Sequence, residues 1–196
     1  GGIYNDTAGA VAIDRNDRRI VTSSVIDNVD LNGDGDSTDG GPENGSAPEA
    51  GQDAAVSVFS SDGTFEWAKR VVRSGGTDQR LFVATDSNNR VIVAGIVDGD
   101  ADFNGDGDTG DVEQGESGYG SKDAFISVFS SDGTFEWAKR LGGVAEDQIS
   151  SVAVDSLDRI IVAGSVVGDA DFNSDGYMMS GGAEDSTNYG YDDIFL

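Results

Sequence analysis

The sequence predicts an all-β protein built from repeated antiparallel hairpins. The segment "SVFSSDGTFEWAKR" occupies residues 57–70 and recurs letter for letter at 127–140. Short runs rich in Val, Ile and Ala recur around it, and clusters of Asp, Ser, Asn and Gly bound them as turns bound strands. No segment has the apolar spacing of an amphipathic helix. We therefore expect antiparallel strands and no helix.

The first half of each repeat unit predicts two strands. The first strand is "AGAVAID", "RLFVATD" or "SSVAVD". The second is "RIVTSSV", "VIVAGIV" or "IIVAGSV", which is almost continuously apolar, as in a strand buried on both faces. The Asp that ends each first strand is expected to form a turn with the residues after it: Asp14, Asp86 and Asp155.

The second half of each unit follows an acidic insert and predicts two more strands. The third strand is "AAVSVFS", "AFISVFS" or the truncated "IFL", and a Ser-Asp-Gly turn leads into the fourth, "TFEWAKR". Alternation along the fourth strand predicts Phe135 and Trp137 on one face, with Glu136 and Arg140 on the other.

The repeat offset defines three units. They are residues 1–73 with acidic loop 27–53, 74–143 with loop 98–123, and the incomplete unit 144–196 with loop 169–193. A unit of about 70 residues without its insert of about 25 keeps about 45, the repeat length of a four-stranded propeller blade. We expect a β-propeller arrangement of two complete blades of four antiparallel strands and a partial third, with a long acidic loop between second and third strands.

Two or three blades are too few for a closed propeller, which typically has about four to eight. The expected partners are therefore other copies of the chain, completing one another by strand addition at an open edge, or the rest of a longer propeller chain. Because the chain does not begin with Met, we expect it to be a segment of a longer precursor.

Several recurring positions carry a resemblance to a known family. They are Asp155, Gly164, Asp123-Ala124-Phe125, Asp132-Gly133, Trp137 and Gly142-Gly143. In this order they resemble the bacterial β-propeller repeat often called SBBP, over nearly the whole chain. The resemblance implies a secreted or cell-surface protein with tandem blades, most such proteins having no assigned activity. The long acidic inserts depart from the simplest form of that repeat.

Negative charge is concentrated in the three inserts. The chain has 37 acidic and 12 basic residues, a net charge of −25, and no Cys or His. The inserts hold most of the acidic residues and a single basic one, Lys122. Nucleic acid and anionic membrane surfaces would repel such a chain, and no apolar run reaches the ~18 residues needed for membrane insertion. Cations are the expected partners.

The second insert matches a calcium-loop template. Asp102, Asn104, Asp106, Gly107, Asp108 and Glu113 stand at positions 1, 3, 5, 6, 7 and 12 of D-x-[DN]-x-[DN]-G-x₅-E. Alternate positions let oxygen ligands converge on one ion, and glycine at position 6 permits the sharp turn. The spacing predicts a Ca²⁺ site.

The other two inserts repeat the pattern with variations. The first has Asp30, Asn32, Asp34, Gly35, Asp36 and, in place of the late Glu, Glu43; the third has Asp171, Asn173, Asp175, Gly176, Tyr177 and Glu184. These loops resemble those set into hairpins of integrin-type propellers and those of dockerins. The third is expected to be the weakest site. The alternative is that Asp, Asn and Gly here only form solvated turns.

Two other sets of residues have more than one interpretation. Asp53, Asp123 and Asp193 precede the third strands, where they either add a late calcium ligand or form a structural cap or turn; we favour the cap or turn. Trp67 and Trp137 either stack on sugars or pack between blades, and the fixed position in each blade favours packing.

The predicted function is non-catalytic. Without His and Cys, triad and thiol chemistry are excluded, and the carboxylates recur once per unit whereas an active site is normally single. We expect an extracellular or cell-surface calcium-binding repeat protein with a structural role in a surface layer, fibre or adhesion array. The alternative is a recognition module in which the bound ion contacts a ligand, as in lectins or integrin-like heads.

Overall fold

The structure is a computed structural model that describes residues 5–37, 52–73, 80–98, 101–106, 122–143, 145–167, 170–171 and 193–195. Within these residues the protein is all-β and contains no helix, as predicted. The strands are β1 (Thr7–Ile13), β2 (Arg19–Val25), β3 (Asp53–Phe59), β4 (Phe65–Arg73), β5 (Phe82–Thr85), β6 (Val91–Val97), β7 (Asp123–Phe129), β8 (Phe135–Gly143), β9 (Gln148–Val154), β10 (Ile160–Val166), β11 (Ala170–Asp171) and β12 (Asp193–Phe195).

Each repeat unit forms one antiparallel sheet. The first is a four-stranded meander in the order β1-β2-β3-β4. The second repeats it as β5-β6-β7-β8, and the short strand β11 from the third unit adds beside β8. In the third sheet β10 lies between β9 and β12. The second and third strands of every unit therefore pair directly, and the acidic insert connects them.

The sheets pack on one another in chain order. The first strands of successive units are neighbours, because β1 lies against β5 and β5 lies against β9. One apolar cluster, which includes Val56 and Phe125, fills the space between the first and second sheets. A second cluster, which includes Ile92 and Ile149, fills the space between the second and third.

Burial of the second strand differs among the units. Strand β6 is buried along its whole length, as predicted, whereas β2 and β10 alternate between buried and partly exposed residues. The prediction is therefore wrong for β2 and β10. The second sheet has a described sheet on each side, whereas the first and third sheets each have one on a single side.

The prediction that Phe135 and Trp137 share a face is also wrong. The pairing of β7 with β8 shifts register between Val128 and Phe129. Phe135 packs in the cluster between the first and second sheets, with its ring centroid 5.9 Å from that of Phe129, and Trp137 packs in the other cluster. A β-bulge adds one residue to a strand and so reverses the alternation of its side chains.

Candidate metal loops and the junctions between units

The described part of the first acidic loop folds back onto its own carboxylates. Oδ1 of Asp30 accepts a hydrogen bond from the amide of Gly33 at 2.5 Å, and Oδ2 accepts one from the amide of Gly35 at 3.0 Å. Oδ1 of Asn32 accepts from the amide of Asp34 at 2.8 Å. Gly33 and Gly35 have φ of 82° and 93°, a region that glycine adopts without steric cost. The sharp turn predicted at Gly35 is confirmed.

The described part of the second loop makes equivalent contacts. Oδ1 of Asp102 accepts from the amides of Gly105 and Asp106 at 2.6 and 3.2 Å. Asn104 accepts from the Asp106 amide at 2.7 Å and donates through Nδ2 to Oδ2 of Asp106 at 3.0 Å. Both loops therefore share three bonds at equal spacing: from the glycine amide to the first Asp, from the second Asp amide to the Asn, and from the Asn amide group to that Asp.

Apolar side chains anchor the base of both loops. Leu31 and Phe103 follow the first predicted ligand of their loops, and both are buried. The ring of Phe103 lies 5.7 Å from that of Phe125, and the hydroxyl of Ser57 donates to the carbonyl of Leu31 at 3.0 Å. Asp102 is consequently only 1% exposed. Packing holds the first ligand position in place independently of any ion.

The structure describes about half of the predicted ligands. Those with described side chains are Asp30, Asn32, Asp34, Asp36, Asp102, Asn104 and Asp106. Asp171 is described only as backbone of β11, and Glu43, Asp108, Glu113, Asn173, Asp175, Tyr177 and Glu184 lie outside the described residues. Within the described residues, no group of three or more Asp, Glu, His or Cys side chains is placed to hold a metal ion.

The donor chemistry of the two loops nevertheless fits a hard cation. Their side chains offer only carboxylate and amide oxygens, which are the ligands that Ca²⁺ prefers. A carboxylate has about four lone-pair sites, so one that accepts two backbone amides can still bind an ion. Asp34, Asp36 and Asp106 are exposed, so cations in the solvent can reach their carboxylates.

The second and third loops contact the unit that precedes them. A Cβ built on Gly105 would lie 2.7 Å from the carbonyl oxygen of Arg70 and 3.1 Å from the side chain of Lys69, both on β4. In the third unit, Asp171 of β11 pairs with Gly142 of β8. The described start of each of these loops thus lies against the fourth strand of the preceding sheet, at the junction between two units.

A second repeated element is the turn between first and second strands. Oδ1 of Asp14 accepts from the amides of Asn16 and Arg18, both at 2.9 Å, and Oδ2 accepts from Nε of Arg18 at 2.7 Å. The turns that begin at Asp86 and Asp155 make the same bonds. The predicted turn-forming role of these aspartates is confirmed.

These turns bond to one another across the junctions. The residue three positions after each turn aspartate has a left-handed backbone, with φ of 59°, 61° and 59° at Asp17, Asn89 and Asp158. The amide of Arg15 donates to Oδ1 of Asn89 at 3.2 Å. The amide of Ser87 donates to Oδ1 of Asp158 at 2.9 Å, and its hydroxyl donates to Oδ2. We call this bond, from one turn to the left-handed residue of the next, the junction contact.

Arg18 strengthens the first junction. Its guanidinium donates to the carbonyl oxygens of Ser131 at 2.5 Å and Asn89 at 3.2 Å, both in the second unit, and pairs with Glu66 at 3.1 Å. Arg18 is 7% exposed, so these bonds replace hydration that it has lost.

Trp67 packs across the same junction. Its Nε1 donates to the carbonyl of Ser131 at 3.1 Å, and its ring centroid lies 6.1 Å from that of Phe129. A Cβ on Gly133, whose φ is 84°, would lie 2.8 Å from the indole. For Trp67 the packing interpretation is therefore confirmed.

The aspartates that open the third strands form buried ion pairs. Oδ2 of Asp53 lies 2.7 Å from a guanidinium nitrogen of Arg70, and Oδ2 of Asp123 lies 2.5 Å from one of Arg140. The predicted cap or turn is therefore wrong for Asp53 and Asp123: each is the first residue of a strand and forms a structural ion pair with an arginine on the fourth strand. The side chain of Asp193 lies outside the described residues.

Asp123 also faces a second buried carboxylate, that of Asp147 at the start of the third unit. Both side chains are fully buried, and a Cβ on Gly142 would collide with Oδ1 of Asp123 and Oδ2 of Asp147. Among the described residues, Oδ1 of Asp123 has no hydrogen-bond partner. Burial raises the pKa of Asp123 to about 6, with a further contribution from Asp147, and Arg140 opposes the shift.

Asp147 is not among the residues predicted from the sequence. Its carboxylate accepts from the amides of Gly143 at 2.6 Å and Val167 at 2.8 Å, and so connects the second unit with the end of β10. In the first unit Asp6 accepts from the equivalent amide, that of Ile26, at 3.2 Å. The sequence contains a repeated pattern that could have indicated this residue: an aspartate stands eight residues before each turn aspartate, at Asp6, Asp78 and Asp147.

Comparison with known proteins adds no family assignment. Neither the family models nor the curated proteins include a match for this chain. In the part of the chain that the structure describes, no helix is long and apolar enough to cross a membrane.

Proposed function

We propose that this chain is a non-catalytic, calcium-binding β-propeller repeat protein with a structural role in extracellular or cell-surface assembly. The observation that best supports this role is that the described starts of the second and third acidic loops lie against the fourth strand of the preceding unit. An ion bound in such a loop would order a segment that contacts two units, and would therefore stabilise their junction.

The propeller arrangement is supported by the packing of the sheets. Two four-stranded antiparallel meanders and the described part of a third pack in chain order, and their first strands are neighbours. A propeller places its blades radially, with the first strand of each blade nearest the axis. The same arrangement agrees with the resemblance to the SBBP repeat.

Calcium binding is supported by the donor set and by charge. The first and second loops place carboxylate and amide oxygens at alternate positions around glycine turns with positive φ. Carboxylates at such spacing repel one another unless a cation neutralises them. Binding to the folded chain alone would stabilise it by mass action.

A structural role is favoured over catalysis or ligand recognition because the same contacts recur. Turn bonds, third-strand ion pairs and loop geometry repeat from one unit to the next. A catalytic or recognition site normally needs one specialised set of groups.

Calcium titration into chelator-treated full chain, followed by a thermal melt with and without calcium, tests this proposal. We expect two or three sites per chain and a higher melting temperature in calcium. The test variant is D34N/D106N, because Asn keeps the backbone bonds of these exposed loop residues but removes one carboxylate from each loop. The control D62N/D132N removes two exposed carboxylates from the Ser-Asp-Gly turns, outside the loops.

The control is expected to bind calcium as the unmodified chain does, while D34N/D106N binds it at least tenfold more weakly. No calcium binding by the unmodified chain, or equal binding by both double variants, would contradict the calcium part of the proposal.

A further inference from the structure

The two internal junctions use the same directional bond. At each, the residue after a turn aspartate donates to the left-handed residue in the turn of the next unit. A donor on one side and an acceptor on the other make this a head-to-tail contact, which any further unit with the same turn can extend.

The outer turns carry the two halves of this contact. Asp17 in the first turn has φ of 59°, as Asp158 has in the third, and it is exposed. Ser156 follows Asp155 in the third turn as Ser87 follows Asp86 in the second, and it is exposed. Among the described residues, neither the Asp17 carboxylate nor Ser156 has a hydrogen-bond partner. A Ser156–Asp17 bond would have the same residue types as the existing Ser87–Asp158 bond.

The strands beside these turns also expose apolar side chains. Val11 and Ile13 of β1 are 75% and 66% exposed, and Ile161 of β10 is 43% exposed. The position equivalent to Ile161 in the second unit is Ile92, which is fully buried in the second junction. The position equivalent to Val11 is Val83, which packs in the first junction.

We propose that a second copy of this chain docks head to tail, so that Ser156 of one copy donates to Asp17 of the next. The outer face of β9 and β10 in one copy covers Val11 and Ile13 of its neighbour. The docking names a second copy of the chain as the partner for the assembly role proposed above, and so it rests on that proposed function. The contact itself uses none of the acidic-loop residues. The first unit has the exposed, charged Arg19 at the position where the second unit has the buried, apolar Val91. We therefore expect the packing between copies to be weaker than at the internal junctions, and the association to depend on concentration.

Sedimentation velocity of the full chain over a concentration series, in calcium and in chelator, tests this inference. We expect the weight-average mass to rise with concentration in both. S156D places a carboxylate opposite Asp17, and should weaken association at least tenfold. Adding D17N should restore it, because the new side-chain amide can donate to the introduced carboxylate, and Asn is already accepted at the equivalent left-handed position, Asn89.

The matched control is N88D, which adds one negative charge at an exposed position of the internal turn. N88D should associate as the unmodified chain does. The melting temperature of every variant should lie within a few degrees of that of the unmodified chain. A chain that stays monomeric at every concentration, or association that S156D leaves unchanged, would overturn this inference. Calcium titration is read separately, so failure of the docking contact and failure of the calcium proposal are distinguishable.

Discussion

Asp123 and Asp147 should make the stability of this protein fall as the pH rises through 6. Both carboxylates are fully buried, and one arginine, Arg140, pairs with Asp123. The folded pKa of Asp123 is about 6, against an ordinary value of 3.8. Because the folded state holds the proton more tightly than the unfolded state, this group contributes its full stability below about pH 3.8, and that contribution is lost as the pH rises through 6.

The size of the effect follows from the shift in pKa. A difference of about 2 pKa units corresponds to about 3 kcal/mol at about 1.4 kcal/mol per unit. Burial also raises the pKa of Asp147, so the loss of stability with rising pH has the same sign for both carboxyls.

Substitution of Asp123 by Asn isolates this contribution. Asn keeps the shape of the protonated acid, accepts from Arg140 through Oδ1 and donates to Asp147 through Nδ2. The free energy of unfolding is measured by urea denaturation in chelator between pH 4 and pH 7.5. We expect the difference between D123N and the unmodified chain to change by up to about 3 kcal/mol across this range, in favour of D123N at high pH.

The control for this experiment is D132N. The pKa of Asp132 is lowered to about 2, first by the hydrogen bond from Ser130 and then by that from the Thr134 amide. The contribution of this exposed carboxylate to stability has the opposite pH dependence. It is fully present above the ordinary pKa and is lost only as the pH falls through 2. The D132N profile should therefore run parallel to that of the unmodified chain above pH 5. If the profiles of D123N and the unmodified chain run parallel between pH 4 and pH 7.5, the raised pKa of Asp123 is contradicted.

Three further outcomes are expected. D34N/D106N should lose the rise in melting temperature that calcium produces, and retention of the full rise would exclude these carboxylates as ligands. Arg18→Lys should lower the free energy of unfolding by about 2 kcal/mol in urea denaturation, because lysine cannot maintain the four directed bonds of Arg18. The control Arg159→Lys changes a side chain that is 72% exposed and should lower it by less than about 0.5 kcal/mol. Equal losses would show that the bonds of Arg18 to the second unit add no stability. Gly142→Ala should cost about 1 to 3 kcal/mol in the same assay, because its methyl group collides with two buried carboxylates, and no change would mean that the pair is not packed as described.

Local sequence patterns predicted the described strands except β11, which lies in the predicted third acidic loop, together with their antiparallel order and the turns. The Asp at the end of each first strand bonds to the backbone within four residues, so its role depends on its own segment and can be read without the rest of the chain. The same is true of the first positions of the acidic loops, where Asp30 and Asp102 bond amides three residues ahead. Short-range bonds of this kind are determined by residue type and spacing.

Other features depended on contacts between distant parts of the chain. The bulge that separates Phe135 from Trp137 arises from pairing with β7, and single-strand alternation gives no sign of it. The buried pairing of Asp123 with Asp147 needs the third strand of one unit to meet the start of the next.

The repeat of antiparallel strands and the three acidic segments can be read from the chain alone, because repetition and local spacing are properties of the linear sequence. The packing of the sheets was needed to show which faces of the strands are buried, that the described starts of the second and third loops lie against the preceding unit, and that the turns bond head to tail. Burial and hydrogen bonding between units depend on which surfaces meet in space, and residues as far apart as Ser87 and Asp158 meet only after the sheets have packed.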